Sequence, residues 1–196
     1  MEDTKTLLQE VERLRAENKE LQSRVALLTD KLEVDPLTSA YNRGYFETQL
    51  REESQRASRS NSPLALMMVD ADNFKLINDN YGHQTGDLVL QLVVSMLNVC
   101  CSRDTDRVCR YGGEEFMVIL PNTNAQGSAK IADEVNETIA AMRVPHRTKD
   151  DTEYLSLTVS IGVSVAVNME PEDRVKKADN LLYSVKHSGK NGYAIG

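Results

Sequence analysis

Cysteine is scarce in this chain, and long apolar segments and an excess of positive charge are missing. Cys100, Cys101 and Cys109 are the only three cysteines in 196 residues. Their odd number and spacing fit neither a disulfide framework nor a metal site, which favours a reducing compartment. The most apolar helix-like run, Leu88 to Cys101, is interrupted by polar residues and is shorter than the roughly 20 residues that cross a bilayer. The N terminus lacks an apolar signal segment, so we expect a soluble cytoplasmic protein.

The charge balance limits the possible partners. The net charge is -7, from 23 Lys and Arg against 30 Asp and Glu. This acidic balance argues against a general electrostatic grip on nucleic acid or on an anionic membrane, so a phosphate ligand would need local cations or metal ions. The 40% hydrophobic and 27% charged composition fits one globular domain with an extension.

Residues 1–34 carry a seven-residue apolar repeat. Two sets of positions, four residues apart, define it: Leu7, Leu14, Leu21 and Leu28, followed by Val11, Asn18, Val25 and Leu32. This is the d and a pattern of a coiled coil, and the polar Asn18 at an a position favours two parallel strands. The alternative is an amphipathic helix that packs on its own domain. We expect a parallel coiled-coil dimer that continues without a loop to Pro36.

Residues 35–196 alternate between helix-like and strand-like segments. Helices are predicted over 43–59, 73–80, 86–101, 125–142 and 172–189, the third of them opened by Gly86. Strands are predicted in SPLALMMVD, which ends at Asp70, in RVCRY, EFMVILP and LTVSIGVSVAV, and at the C terminus. Helices packed on a mostly antiparallel sheet make an α+β sandwich the expected fold class.

The segment RYGGEEF, residues 110–116, joins two of these strands. Gly112 and Gly113 fit a two-residue hairpin turn, where positive φ is needed. A simple turn explains the glycines, but it leaves the adjacent carboxylates of Glu114 and Glu115, which repel each other unless a cation or solvent separates them. If the strand that ends at Asp70 lies beside this hairpin, the carboxylates form an all-oxygen site suited to Mg²⁺ and a nucleoside triphosphate.

Four segments resemble, in order and spacing, the motifs of GGDEF-family diguanylate cyclases: DPLTSAYNR, DADNFKLINDNYGHQTGDLVL, RYGGEEF and ADNLLYSVKHSGKNGY. The resemblance covers Asp35 to about Tyr193, which suggests a domain over residues 35–196. It implies a nucleotide-cyclase-like palm fold, with a mostly antiparallel central sheet flanked by helices. It also implies condensation of two GTP into cyclic di-GMP with release of pyrophosphate, and two Mg²⁺ ions per active site with Mn²⁺ as an alternative.

The resemblance also assigns site residues. Asp70, Glu114 and Glu115 correspond to catalytic and metal-binding positions, and the Ala71 carbonyl to a further metal ligand. The positions that correspond to substrate-binding residues are Asn78 and Asp87 for guanine, and Phe74, Lys75, Lys186 and Lys190 for phosphate. An amide and a carboxylate suit the acceptors and donors of guanine.

Some of these residues have simpler interpretations. Taken alone, Phe74 is a core residue by its helical spacing from Ile77, and Lys186 is an ordinary solvated lysine. Lys190 stands where the family commonly has Arg, so its phosphate contact becomes a point charge. Asn73 stands where the family often has His, and we expect no essential contact from it.

A regulatory site is suggested by Arg103 and Asp106, an R-x-x-D that ends five residues before the two glycines. By itself such a pair is a surface ion pair. At this offset it resembles the family's site for inhibition by the product, cyclic di-GMP.

The sequence thus predicts a homodimeric diguanylate cyclase. Its expected partners are GTP, cyclic di-GMP, a second copy of the chain, and an upstream sensor or receiver domain that the sequence does not contain. The alternative is a catalytically silent domain that acts as a receptor for cyclic di-GMP or GTP. A purely structural role for the coiled coil leaves the clustered carboxylates unexplained.

Overall fold

A computed structural model describes residues 10–22, 33–147 and 152–196. A helix covers residues 10–22, here α1. The further elements follow in chain order: α2 (Arg43–Ser60), β1 (Leu64–Ala71), α3 (Phe74–Tyr81), α4 (His83–Cys100), β2 (Arg107–Gly112), β3 (Glu115–Pro121), α5 (Ala125–Ala141), β4 (Val144–Arg147), β5 (Thr152–Leu155), β6 (Val159–Ala166), α6 (Pro171–His187) and β7 (Gly192–Ile195). Within these ranges, no helix has both the length and the apolar character that a bilayer span requires.

Five strands form the central sheet in the order β2-β3-β1-β6-β7. β1 pairs antiparallel with both β3 and β6, and β3 pairs antiparallel with β2. β7 adds a parallel edge to β6. The expected α+β fold with a mostly antiparallel sheet is therefore confirmed, and β1 is its central strand.

Both faces of the sheet are covered by helices. Along β1, alternate side chains pack in two separate cores: Met67 and Val69 contact the core under α4 and α5, whereas Leu66 and Met68 contact the core under α2 and α6. All eight residues of β1 are buried. A strand buried on both faces has a continuous apolar run in place of an alternating pattern. A polar residue at the end of such a run therefore lies at the rim of the sheet.

Three local features differ from the sequence-based expectations. α4 begins at His83, one turn before Gly86. The two residues between the strands are Gly113 and Glu114, because Gly112 still pairs with Glu115 after a register shift that follows Arg110. Gly113 has the positive φ, 53°. The two-residue turn predicted at Gly112 and Gly113 was thus one residue out, since a bulge extends β2.

The third difference is a small antiparallel hairpin formed by β4 and β5. It is separate from the central sheet and was not predicted. Each of its strands has four residues. Val144 and Leu155 anchor it to the core beside α5, where both are buried. Strands this short, with Pro145 inside one of them, give little periodic signal.

The N-terminal repeat is described only in part. Val11, Leu14 and Leu21 lie on α1 with 42%, 51% and 53% of their surface exposed. Leu7, Val25, Leu28 and Leu32 lie outside the described residues. The exposed stripe is compatible with a coiled-coil seam, whereas the dimer and the division of the chain at residues 34 and 35 stay predictions.

Candidate active site

Two acidic residues meet where β1 ends and β3 begins. Asp70 and Glu115 are direct cross-strand neighbours. One residue further along the chain, the backbone N–H of Ala71 donates a hydrogen bond to the Glu114 carbonyl at 3.3 Å. Directly opposed residues of an antiparallel pair have Cβ atoms about 5 Å apart. The structure thus brings together Asp70, Ala71, Glu114 and Glu115.

A lysine from α6 joins these carboxylates. The Lys186 Nζ lies 2.8 Å from Asp70 Oδ2, and the Asp70 side chain is only 9% exposed. Burial raises the pKa of Asp70 above its ordinary value; Lys186 opposes this shift, and the nearby charge of Glu114 adds to it. Burial and the charge of Asp70 likewise raise the pKa of Glu115. Both carboxylates are therefore protonated more readily than exposed ones, mainly because they are buried, and a bound cation would favour their ionised forms.

The donor set fits a hard divalent cation. Mg²⁺ binds oxygen ligands, usually one or two carboxylates together with water and substrate phosphates. Asp70 and Glu115 supply two such carboxylates, and Glu114 lies next to them on the turn. Among the described residues, no three His, Cys, Asp or Glu side chains are grouped closely enough to enclose an ion by themselves. Two carboxylates match the number that Mg²⁺ usually takes from a protein when substrate phosphates supply further oxygens.

The predicted phosphate residues surround the same strand end. After β1, Asn73 caps α3 in a left-handed conformation with φ 58°. Phe74 and Lys75 form the first turn of α3, whose backbone N–H groups suit an anion. The Phe74 ring packs partly buried against the core, which confirms the interpretation of its side chain as a core residue. The Lys190 Nζ lies 2.6 Å from the Asn73 Oδ1 at the surface, and the expectation that Asn73 makes no essential contact stays a prediction.

The two predicted guanine-binding residues share the corner between α3 and α4. A Cβ atom added to Gly86 would lie 2.0 Å from the Asn78 Oδ1. Asn78 therefore packs directly on the backbone of α4, beside Asp87. Asp87 is exposed and Asn78 is partly exposed. A side chain at position 86 would therefore displace the Asn78 amide, which contacts α4 one residue before the exposed Asp87.

Asp72 has a different environment from Asp70, although only one residue separates them. It is 4% exposed. Its carboxylate accepts hydrogen bonds from the hydroxyls of Thr158 and Ser160, each at 2.7 Å, and from the backbone N–H of Asn191 at 3.1 Å. The sequence analysis did not predict that Asp72 would accept these hydrogen bonds. The partners are 86 to 119 residues away, so no local signal could reveal them.

The turn between β2 and β3 is tied to the segment that follows the N-terminal repeat. Arg110 donates from Nε and Nη2 to the Gly113 carbonyl at 3.1 and 2.9 Å, and from Nη1 to Asp35 Oδ1 at 3.1 Å. Burial raises the pKa of Asp35, but hydrogen bonds from Thr38 and the charge of Arg110 outweigh it, so the pKa lies below its ordinary value. One guanidinium thus connects the linker to the turn that carries Glu114.

Arg103 and Asp106 form a hydrogen-bonded ion pair at the other end of β2. The Arg103 Nη2 donates to Asp106 Oδ1 at 2.7 Å and to the Thr123 hydroxyl at 2.8 Å. The Asp106 side chain is 1% exposed, whereas that of Arg103 is 45% exposed. β2 has six residues, which separates this pair from the turn by roughly 17 Å along the strand. A buried carboxylate therefore orients a partly exposed guanidinium away from the acidic cluster.

Comparison with known proteins places these features in a family. The family model of the diguanylate cyclase GGDEF domain matches residues 32–192. The response regulator PleD of Caulobacter vibrioides is 38% identical over 161 residues, which are 80% of this chain and 34% of PleD. Diguanylate cyclase A of Treponema denticola is 35% identical over 170 residues, which are 84% of this chain and 44% of that protein. The chain thus spans from about a third to less than half of these relatives.

Solved structures share the fold over most of the chain. The GGDEF domain of DgcB from Caulobacter crescentus, in complex with c-di-GMP, has a TM-score of 0.79 at 30% identity and covers 84% of this chain and 93% of its own. The coiled coil and GGDEF domain of DgcB has a TM-score of 0.80 at 26% identity and covers 97% of this chain and 99% of its own. The active GGEEF domain of a Vibrio cholerae diguanylate cyclase has a TM-score of 0.70 at 30% identity, over 79% and 96%. This chain therefore belongs to the GGDEF family of diguanylate cyclase domains.

Proposed function

We propose that this domain condenses two molecules of GTP into cyclic di-GMP with release of pyrophosphate. One observation carries the proposal: Asp70 and Glu115 oppose each other at the rim of the sheet, and Lys186 contacts Asp70. Carboxylates with raised pKa beside a lysine suit a bound metal and a polyphosphate. Membership of the family supports the assignment of the reaction.

A divalent metal ion is a general feature of this family. We propose two Mg²⁺ ions per site, with Mn²⁺ as an alternative, held by Asp70, the Ala71 carbonyl, Glu114 and Glu115. When bound, the ions supply a lowered pKa for the attacking 3′-hydroxyl and neutralise charge on the departing pyrophosphate.

The other residues bind and orient the substrate. Asn78 and Asp87 lie at one corner, where they are proposed to hydrogen-bond the guanine edge. The first turn of α3, with Phe74 and Lys75, offers backbone N–H groups to the phosphates. Lys186 adds positive charge beside Asp70, and Lys190 adds positive charge beside Asn73, which caps α3. This arrangement directs the α-phosphate toward the carboxylates.

The reaction requires two domains that face each other, because each site binds one GTP and the product joins two. The exposed stripe on α1 supports a homodimer through the coiled coil, which would keep a second active site at high local concentration. The solved structure of the coiled coil and GGDEF domain of DgcB, which resembles this chain, also joins a coiled coil to such a domain and supports this proposal. An upstream sensor or receiver domain that changes the coil remains part of the proposal.

The cytoplasm is the proposed location. Cys100, Cys101 and Cys109 are all free thiols, which suits a reducing compartment. Burial raises the pKa of both Cys101 and Cys109 to about 12, so these thiols stay protonated and unreactive.

Product inhibition is proposed at Arg103 and Asp106. The pair is preorganised, since Asp106 is buried and Thr123 holds the same guanidinium. Cyclic di-GMP offers phosphate and guanine acceptors to such an arginine. Arg103→Ala should leave initial rates near those of the wild type and relieve inhibition by added cyclic di-GMP. Inhibition that persists unchanged in this variant would exclude the site.

The decisive test is to incubate the protein with GTP and Mg²⁺ and identify the products by chromatography and mass spectrometry. Cyclic di-GMP and pyrophosphate, both absent with the isosteric variant Glu115→Gln, establish the reaction. A dimer that binds GTP and forms no product overturns the proposed activity. In that case, saturable binding of cyclic di-GMP that Arg103→Ala abolishes would establish the receptor alternative.

A further inference from the structure

The turn between α6 and β7 is strained and contains Lys190, which is proposed to bind phosphate. Gly189, Lys190 and Asn191 have positive φ angles of 113°, 64° and 47° in succession. The left-handed region is unfavourable for residues other than glycine, and for lysine more than for asparagine. Such a conformation persists only where the surrounding contacts hold it.

Two contacts from the end of β1 hold this turn. The buried Asp72 carboxylate accepts the backbone N–H of Asn191 at 3.1 Å, and Asn73 Oδ1 accepts the Lys190 ammonium at 2.6 Å. Thr158 and Ser160 of the neighbouring chain segment fix the Asp72 carboxylate from the other side. The residues between the catalytic strand and α3 therefore connect the strand end to the lysine-bearing turn.

We propose that Asp72 is a positioning residue, which anchors the Gly189–Asn191 turn so that Lys190 faces the triphosphate, and that Asn73 directs the Lys190 side chain. This inference rests on the proposed function. It assigns Asp72 no metal ligation, because its carboxylate oxygens already accept three hydrogen bonds. Asn73 and Lys190, which both differ from the residues common at these positions in the family, thus act together.

Asp72→Asn and Asp72→Ala distinguish the hydrogen bonds of Asp72 from its negative charge, because both remove the charge and only alanine removes the hydrogen bonds. The asparagine oxygen can still accept from Asn191 and Thr158, and its amide can donate to the Ser160 hydroxyl, which accepts when it rotates. Alanine removes every contact. Asp72→Ala should raise the KM for GTP about tenfold with kcat within about threefold of the wild type, while Asp72→Asn keeps both within about threefold.

A structural readout is independent of turnover. Hydrogen exchange of the Asn191 amide, followed by NMR, should accelerate at least about tenfold in Asp72→Ala and stay slow in Asp72→Asn. If both variants lose activity equally while Asn191 exchange stays slow in Asp72→Asn, the carboxylate acts through its charge and the positioning role is wrong. If exchange accelerates in Asp72→Ala and KM does not change, the turn does not position the substrate.

A second pair of variants keeps the test valid if Asp72→Ala does not fold. Asn73→Gly removes the side chain without left-handed strain and should raise the KM about threefold. In a protein that already carries Lys190→Met, Asn73→Gly should not raise the KM for GTP any further. If the two substitutions raise the KM additively, Asn73 does not act through Lys190 and the proposal is wrong. A wild-type protein that shows slow Asn191 exchange and neither binds nor converts GTP would instead refute the proposed function.

Discussion

Removal of Arg110 should both destabilise the domain and impair its active-site turn. Arg110 and Asp35 are 16% and 18% exposed in their side chains. Arg110→Met leaves Asp35 without its cation and the Gly113 carbonyl without its donors. A charged hydrogen-bonding group that loses its partner at such depth costs about 1.5–3 kcal/mol, so we expect a loss near 3 kcal/mol in the free energy of unfolding. Arg110→Lys should cost about half as much, because one ammonium cannot span both partners.

Urea denaturation at neutral pH measures this loss, and a melting temperature lower by about 6–12 °C should accompany it. The pKa of Asp35 is lowered from 3.8, so the ion pair contributes stability above that pH and loses it as the pH falls through the folded-state pKa. The gap between Arg110→Met and the wild type should therefore narrow in acid. Arg143→Met is the matched control, since exposed Arg143 contacts only the adjacent carbonyl of Met142 in the described contacts. Equal losses in both variants would refute the reasoning.

Three other predictions concern the site. Burial and the charge of Asp70 raise the pKa of Glu115 from 4.5, so its ionised carboxylate lowers the stability of the folded state at neutral pH. Glu115→Gln should therefore raise the melting temperature by about 1–3 °C at pH 7. Calorimetry at several pH values should show that this gain disappears below pH 4.5. Gly86→Ala should displace Asn78 and raise the KM for GTP at least about tenfold, and an unchanged KM would exclude this contact from substrate binding. Insertions of one to seven residues before Val34 should change the turnover rate periodically, with the coiled-coil repeat of about seven residues. A turnover rate that does not depend on the length of the insertion would show that the coiled coil does not control catalysis.

The strand ends of the site could be predicted because their signals are local. An apolar run that stops at Asp70 predicts a buried strand with a carboxylate at the rim, and the structure places Asp70 opposite Glu115. The predicted turn position was wrong by one residue, because the register shift after Arg110 moves the turn to Gly113 and Glu114. A bulge of this kind depends on how the two strands pair, which the glycines alone do not determine.

The supporting contacts could not be predicted, because they join distant parts of the chain. Arg110 and Asp35 are 75 residues apart, and Lys190 and Asn73 are 117 apart. Each of these side chains is an ordinary polar residue in its own segment. Only the packing of α6 and the linker against the sheet makes them neighbours. The same applies to Asp72, whose carboxylate accepts hydrogen bonds from three uncharged groups in distant parts of the chain.

The contrast between Asp70 and Asp72 shows how this rim combines stability with function. Asp72 receives three hydrogen bonds and holds the surrounding segments together, whereas Asp70 and Glu115 retain raised pKa values that the protein alone does not relieve. A bound cation offsets the cost of burying these charges and their mutual repulsion, and therefore stabilises the folded state by mass action. Glu115→Gln, which lacks part of the repulsion, should melt above the wild type without ligand. With saturating Mg²⁺ and a nonhydrolysable GTP analogue the wild type should gain more, because it retains the carboxylate that the cation neutralises. A smaller gain for the wild type than for the variant would mean that the charge at Glu115 is not used to bind the ligand.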